Sequence, residues 1–168
     1  MKQNTNIYGL YPSLANRVVL ITGGAAGIGR AMVEGFYNQG SKVAFLDIDD
    51  EKAQELKSKL MDTNKHDPFY LNCDVCDIAK LQKTIKEISE KLGIIHTLIN
   101  NAGGNERLSA NEISVEKWEN FQSLNIRHVL FASQAVFKGM KEMGEGSIIN
   151  FTSPTFRRRK EGWTGYAA

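Results

Sequence analysis

Short apolar runs alternate along this chain with longer stretches whose apolar residues recur at three- and four-residue steps. A continuous apolar run beside glycine reads as a strand buried on both faces of a parallel sheet, and the longer spacing reads as an amphipathic helix. Val18 to Ile21 is the first run and leads straight into glycines. Ile28 to Gln39 follows as a helix, with Ile28, Met32, Val33 and Phe36 on one stripe and Gly40 as its stop. Val43 to Ile48 is a second strand. Asp49 or Asp50 then caps a helix to about Met61, whose Ala53, Leu56 and Leu60 face inward. Pro68 to Val75 reads as a third strand. Asp77 caps a helix carrying Ile78, Leu81, Ile85, Ile88 and Leu92 on one face, and Gly93 ends it. Ile94 to Ile99 gives a fourth strand. Val115 to Met143 reads as one long apolar helix, with Trp118, Phe121, Leu124 and Val136 among its apolar residues, before Gly144 and Gly146 break it. Ile148 to Phe151 is the fifth strand, and the last 17 residues hold loop signals and the first turn of a further helix.

Strands alternating with helices about every 25 to 30 residues predict right-handed crossovers and an α/β, doubly wound parallel sheet. The predicted strand order is 3-2-1-4-5, with the ligand crevice between the first and fourth strands, where the order reverses. No internal repeat or second domain interrupts residues 1–168, which read as a single dinucleotide-binding domain.

Composition narrows the classes of partner. The chain is 42% hydrophobic and 24% charged, enough for one apolar core. Its 21 basic and 19 acidic residues are interspersed for a net charge of +2, which argues against nucleic acid or a membrane surface as partner. The one basic run, Arg157, Arg158, Arg159 and Lys160, reads as a solvated loop, with anion contact as the alternative. Met1 to Pro12 is polar and lacks a secretory apolar core, and no stretch approaches the ~20 apolar residues of a membrane span, so the expected location is cytoplasmic. Cys73 and Cys76 form a CxxC without a second pair, and they read as ordinary core thiols with no metal site.

Thr22-Gly23-Gly24-Ala25-Ala26-Gly27-Ile28-Gly29 joins the first strand to the first helix. Glycines at 23, 27 and 29 let the chain turn sharply, bring backbone N–H groups onto a pyrophosphate and close the helix onto the sheet. Asp47 closes the second strand, where a carboxylate accepts hydrogen bonds from adenosine ribose hydroxyls and repels a 2′-phosphate. With no basic side chain in the turn, this favours NAD over NADP. The alternative is that Asp47 serves as a helix cap or turn residue.

The TGxxxGIG turn together with Asn100-Asn101-Ala102-Gly103 after strand four resembles the short-chain dehydrogenase/reductase family over essentially the whole chain. Further matches follow in order: Asp74 after strand three, Asn125 in the long helix, Ser153 after strand five and Tyr166 near the end. Tyr11-Pro12-Ser13-Leu14, Phe45-Leu46-Asp47-Ile48, Asn125-Ile126-Arg127-His128 and Ile148-Ile149-Asn150-Phe151 look closer still to NAD-dependent D-xylose 1-dehydrogenases and related aldose dehydrogenases. The resemblance implies a Rossmann fold lacking the family's last strands and helices. Thr22, Gly23, Gly27, Ile28, Gly29, Asp47, Asp74, Asn101, Ala102 and Gly103 would hold NAD, with Asp74 at the adenine.

The implied chemistry is hydride transfer between a secondary alcohol or sugar carbinol and nicotinamide, which needs a proton moved on or off the oxygen. An ordinary tyrosine, with a pKa near 10, is a poor base at neutral pH. In the family a lysine one helical turn later favours the phenolate, the serine steadies the substrate oxygen, and an asparagine holds a water linking the lysine to solvent. Tyr166, Ser153 and Asn125 match these, but the lysine position falls beyond Ala168, and Lys160, six residues before Tyr166, is no substitute. The expectation is therefore a C-terminally incomplete chain with impaired catalysis. A non-catalytic NAD-binding module and a decayed remnant are the alternatives. A complete protein would be a homodimer or homotetramer through its long helix.

Overall fold

The computed structural model describes residues 9–61, 66–157 and 161–168. Most of the polar N-terminal lead and residues 158–160 of the basic run, Lys160 included, lie outside the described residues.

Five strands form one parallel sheet: β1 (Val18–Thr22), β2 (Lys42–Asp47), β3 (Phe69–Asn72), β4 (Ile95–Asn100) and β5 (Ser147–Asn150). Their spatial order is β3-β2-β1-β4-β5, as the alternating pattern predicts. The helices are α1 (Gly27–Asn38), α2 (Asp50–Met61), α3 (Ile78–Leu92), α4 (Val115–Gln122), α5 (His128–Met143) and the short α6 (Thr164–Ala167).

Alternate residues of each strand point to opposite faces, and each face has its own apolar cluster. Val18, Leu20, Leu46 and Leu98 pack with Leu81, Ile85 and Ile88 of α3 and with Ala132, Val136 and Met140 of α5. Val19, Ile21, Val43, Phe45 and Ile99 pack with Val33 and Tyr37 of α1 and with Ala53, Leu56 and Leu60 of α2. β1 is buried at all five positions because it lies between these layers, and each such aliphatic side chain contributes about 1.5–3 kcal/mol. Caps fall where the sequence places them. Asp77 accepts the Lys80 amide at 3.0 Å, and Asp49 is the residue capping α2, accepting the Lys52 amide at 3.0 Å.

Three expectations need correction. The third strand is shorter than Pro68 to Val75: pairing with β2 covers Phe69 to Asn72, and the chain then turns, with Cys76 N donating to Asp74 Oδ1 at 2.8 Å. Ile28 is not on the inward stripe of α1. It is 63% exposed, and the buried stripe is Gly29, Val33 and Tyr37. The long helix is interrupted, because Ser123–Arg127 forms a π turn between α4 and α5. A π turn carries an extra residue per turn, often at functional sites, and apolar spacing alone does not reveal it. β5 is at one edge of the sheet, with β3 at the other, and its Ile148 and Ile149 are exposed, as are Leu130 and Phe137 of α5.

Candidate active site

The glycine turn is fastened to the end of β2. Gly23 and Gly24 donate their amides to Leu46 O at 2.8 and 3.1 Å, and Ala25 donates its amide to Asp47 Oδ2 at 2.9 Å. Beyond that clamp α1 begins at Gly27, and the N-cap residue Ala26 offers no side-chain acceptor. The amides of the first turn therefore have no intrahelical partner and carry the positive end of the helix dipole. A side chain at Gly29 would overlap the Gly23 carbonyl, and Gly23 itself has φ +66°, so the cradle requires these two glycines.

Thr22 lies beneath this cradle and is fully buried. Its hydroxyl oxygen accepts the amides of Asn101 and Ala102 at 3.1 and 3.0 Å, while Asn101 Nδ2 donates to the carbonyls of Thr22 and Gly23, both at 3.0 Å. The ends of β1 and β4 are thus locked together where the strand order reverses. His128, fully buried at the start of α5, adds a third tie through Nε2 to Ala102 O at 3.2 Å. Burial holds its pKa below the ordinary imidazole value, so the ring is neutral there.

A groove of about 480 Å³ runs along this seam, bordered by Gly27, Ile28, Asp47, Asp74, Ala102 and Gly103. Exposed Ile28 thus faces a cleft instead of the core. Asp47 is already engaged: Oδ2 holds the Ala25 amide, and Oδ1 accepts those of Ile48 and Asp49 at 2.8 and 3.1 Å. A carboxylate has about four acceptor sites, so the three amides leave about one for a ligand. Cys73 is buried and its pKa is raised by desolvation, consistent with a core thiol.

The groove opens into a cleft of about 510 Å³ that brings Asn125, Ser153 and Tyr166 together. Ile28, Asn101, Ala102 and Gly103 border both spaces. Ser153 follows β5, and its Oγ lies 2.6 Å from Thr155 Oγ1 and accepts the Thr155 amide at 3.2 Å. Tyr166 is on α6, which approaches α4 so closely that a side chain at buried Gly165 would overlap the Phe121 ring. Asn125 sits in the π turn. Its Oδ1 accepts the Gly104 amide at 3.0 Å, and its Nδ2 donates to the carbonyls of Gly104 and Phe121, both at 3.0 Å. That leaves one acceptor site on Oδ1, so Asn125 holds both the loop after β4 and the irregular helix. Sequence reasoning named His128 only as part of a matched segment and did not single out Asn105, Arg107 or Trp163, which also border this region and whose only signal is nearness to the matched motifs.

A sequence model of short chain dehydrogenases matches residues 17–168. The chain belongs to the short-chain dehydrogenase family. It is 38% identical over 146 residues to a probable galactose dehydrogenase of Rhizobium meliloti, covering 87% of this chain and 57% of that protein. It is 39% identical over 144 residues to a D-xylose 1-dehydrogenase of Caulobacter vibrioides, covering 86% and 56%. The chain thus spans a little over half the length of these curated relatives. Among solved structures, a variant of a Serratia marcescens short-chain dehydrogenase/reductase superposes with a TM-score of 0.86 at 27% identity, covering 94% of this chain and 63% of that one. Serine dehydrogenase from Escherichia coli gives a TM-score of 0.78 at 30% identity, covering 89% and 67%.

Short-chain dehydrogenases are oxidoreductases that use nicotinamide cofactors. The cradle fits such a dinucleotide: uncapped amides suit the pyrophosphate, and the cradle admits no side chain at position 29. Among the described residues no cluster of side chains is suited to a metal ion, and no helix is long and apolar enough to cross a membrane.

Proposed function

We propose that the protein is an NAD-dependent oxidoreductase that transfers a hydride between the cofactor and a secondary alcohol or sugar carbinol, in the manner of an aldose 1-dehydrogenase. The observation that supports this reading is the wall of Ile28 and Asn101 to Gly103, which the glycine-turn groove shares with the cleft lined by Asn125, Ser153 and Tyr166. The sugar-dehydrogenase names of the two relatives support the substrate class.

The first-turn amides of α1 bind the pyrophosphate, the free acceptor site of Asp47 takes a ribose hydroxyl, and Asp74 borders the adenine end. Its negative charge makes Asp47 a poor neighbour for a 2′-phosphate, which supports NAD over NADP. The cofactor supplies a hydride acceptor or donor. In the oxidative direction the Ser153 hydroxyl donates to the substrate oxygen while Tyr166 Oη takes its proton; in the reductive direction Ser153 still donates to the carbonyl oxygen and Tyr166 Oη gives the proton. Asn125 keeps the Gly104 loop in place beside Tyr166 and offers its one open acceptor site to water. The positive charge that makes a phenol basic at neutral pH falls, by the family pattern, at the fourth residue after Tyr166, so the assay uses the whole reading frame encoding these residues. The exposed Leu130 and Phe137 on α5 support assembly as a homodimer or homotetramer.

The test pairs calorimetry with NAD and NADP against NADH production over a panel of aldoses and secondary alcohols. The expected result is tighter binding of NAD and turnover of at least one aldose. Binding without turnover of any alcohol points to a nucleotide-binding module, and absence of both overturns the proposal.

A further inference from the structure

A second cleft of about 440 Å³ adjoins Tyr166 and is bordered by Asn105, Arg107 and Trp163. It shares Asn101, Gly103 and Tyr166 with the catalytic cleft, so a substrate whose carbinol lies at Tyr166 can extend into it. We propose that Asn105, Arg107 and Trp163 form the subsite that reads the hydroxyl-rich end of a neutral sugar, remote from the reacting carbon. This rests on the oxidoreductase reading for the placement of that carbon.

The Asn105 and Arg107 side chains have the hydrogen-bonding chemistry for such a ligand. Arg107 has its guanidinium 5.7 Å from the Trp163 ring centroid, a cation–π distance that orients the fork. The carboxylate next to it in sequence, Glu106, is paired with Lys117, and Arg107 makes no ion pair among the described residues. Its five donors are therefore open to substrate oxygens. Asn105 borders the same cleft, and its Oδ1 is buried without a donor among the described residues. Such a carbonyl destabilises the fold until a donor reaches it. A half-turn of the amide, whose terminal torsion is roughly two-fold, presents that oxygen to a sugar hydroxyl.

The subsite is also fixed relative to the chemistry. Leu108 donates its amide to Gly162 O at 3.2 Å and forms an isolated parallel bridge with Trp163. Trp163 meets Tyr166 edge-on at 5.6 Å between ring centroids. The other end of the loop is held at Gly104 by Asn125. A plain alcohol filling this cleft with apolar surface would strip water from the guanidinium and the amide without replacing it, which is how a hydrogen-bonding pocket rejects an analogue lacking hydroxyls.

The experiment uses the whole reading frame. The ratio of kcat/KM for an aldopentose to that for cyclohexanol is measured in the parent and in Arg107→Met, Arg107→Lys and Asn105→Leu. Arg107→Met is expected to lower the ratio at least tenfold, and Arg107→Lys, which keeps the charge without the fork, by less. Asn105→Leu gives the same readout should Arg107→Met fail to fold. In parallel, Trp118→Phe leaves Trp163 as the one tryptophan of these 168 residues, and the aldopentose should change its emission saturably with NAD present. A saturable change without turnover of any alcohol upholds the subsite and sinks the hydride-transfer reading. Turnover of alcohols with no emission change, or a ratio insensitive to the Arg107 and Asn105 variants, overturns the subsite alone. A uronate preferred more than tenfold over the neutral sugar overturns the hydroxyl assignment.

Discussion

The carboxylate of Asp47 accepts the amide of Ala25 at 2.9 Å, so the residue at the end of β2 also shapes the glycine turn. Two effects should therefore separate by substitution. Asp47→Ala removes the acceptor for three amides and should cost about 1.5–3 kcal/mol in urea denaturation, the scale of hydrogen bonds to a charged group. Asp47→Asn keeps one acceptor oxygen, should cost less, and should still narrow the preference for NAD over NADP in calorimetry. An unchanged midpoint in the alanine variant contradicts the clamp, and an unchanged nucleotide ratio in the asparagine variant contradicts the choice of NAD.

Gly29→Ala places a methyl group against the Gly23 carbonyl, and backbone cannot yield as a flexible side chain would. The turn must open. NAD affinity should fall at least tenfold, about 1.4 kcal/mol, and NAD should raise the melting temperature of the variant less than that of the parent. Equal NAD-induced shifts in a thermal scan would place the dinucleotide elsewhere.

Two histidines predict how stability responds to acid. Burial lowers the pKa of His96 and of His128, and Arg17 depresses His96 further. His96 Nδ1 accepts the Val18 amide at 3.2 Å, an acceptor that protonation would remove. In the unfolded chain both rings titrate near the ordinary value of about 6.5. Above that pH neither state takes up the proton and there is no penalty. As pH falls below it, the unfolded chain binds protons first and folding stability declines. His96→Gln and His128→Gln should each flatten the slope of unfolding free energy between about pH 6.5 and 5, measured by urea titration at several pH values. Slopes identical to the parent contradict this assignment.

Tyr166→Phe removes the hydroxyl assigned to proton transfer and keeps the ring that meets Trp163. In the whole reading frame it should lower kcat by about 10²–10⁴, with a much smaller change in NAD affinity. A kcat within threefold of the parent would move the acid–base role to another group.

The 168-residue chain taken alone leaves Ile148 and Ile149 exposed on β5 and Phe151 exposed just after it, and Phe137 on α5 is 60% exposed. An outer strand with apolar side chains and unpaired backbone groups invites pairing. Light scattering after gel filtration should show self-association at micromolar concentration, and a sharp monomer peak with two-state unfolding would contradict it.

Much of this architecture could be read from the sequence because each signal was local. Val18 to Ile21 is apolar without interruption because helices cover both its faces, and Asp77 and Gly93 mark the ends of α3 by chemistry each carries alone. The gathering of Asn125, Ser153 and Tyr166 was readable only from motif order, since nothing in the spacing of 125 and 153 specifies that they share a cleft. Three features stayed hidden for physical reasons. Ile28 follows the helical apolar rhythm yet faces the cleft, because pattern cannot separate a core from an apolar ligand wall. The π turn leaves composition unchanged and shifts only backbone register. Asn105, Arg107 and Trp163 meet through one bridge between loops more than fifty residues apart, a contact with no sequence period.

The π turn at Ser123–Arg127 carries one residue more than an α turn needs. Losing that residue would let the segment close as ordinary α-helix with α4 and α5 in nearly the same phase. A deletion inside α5 has no such slack: an α-helix advances about 100° per residue, so the face carrying Ala132, Val136 and Met140 would be split and part of it turned away from the sheet. A single-codon deletion within α5 should thus do more harm than one inside the π turn.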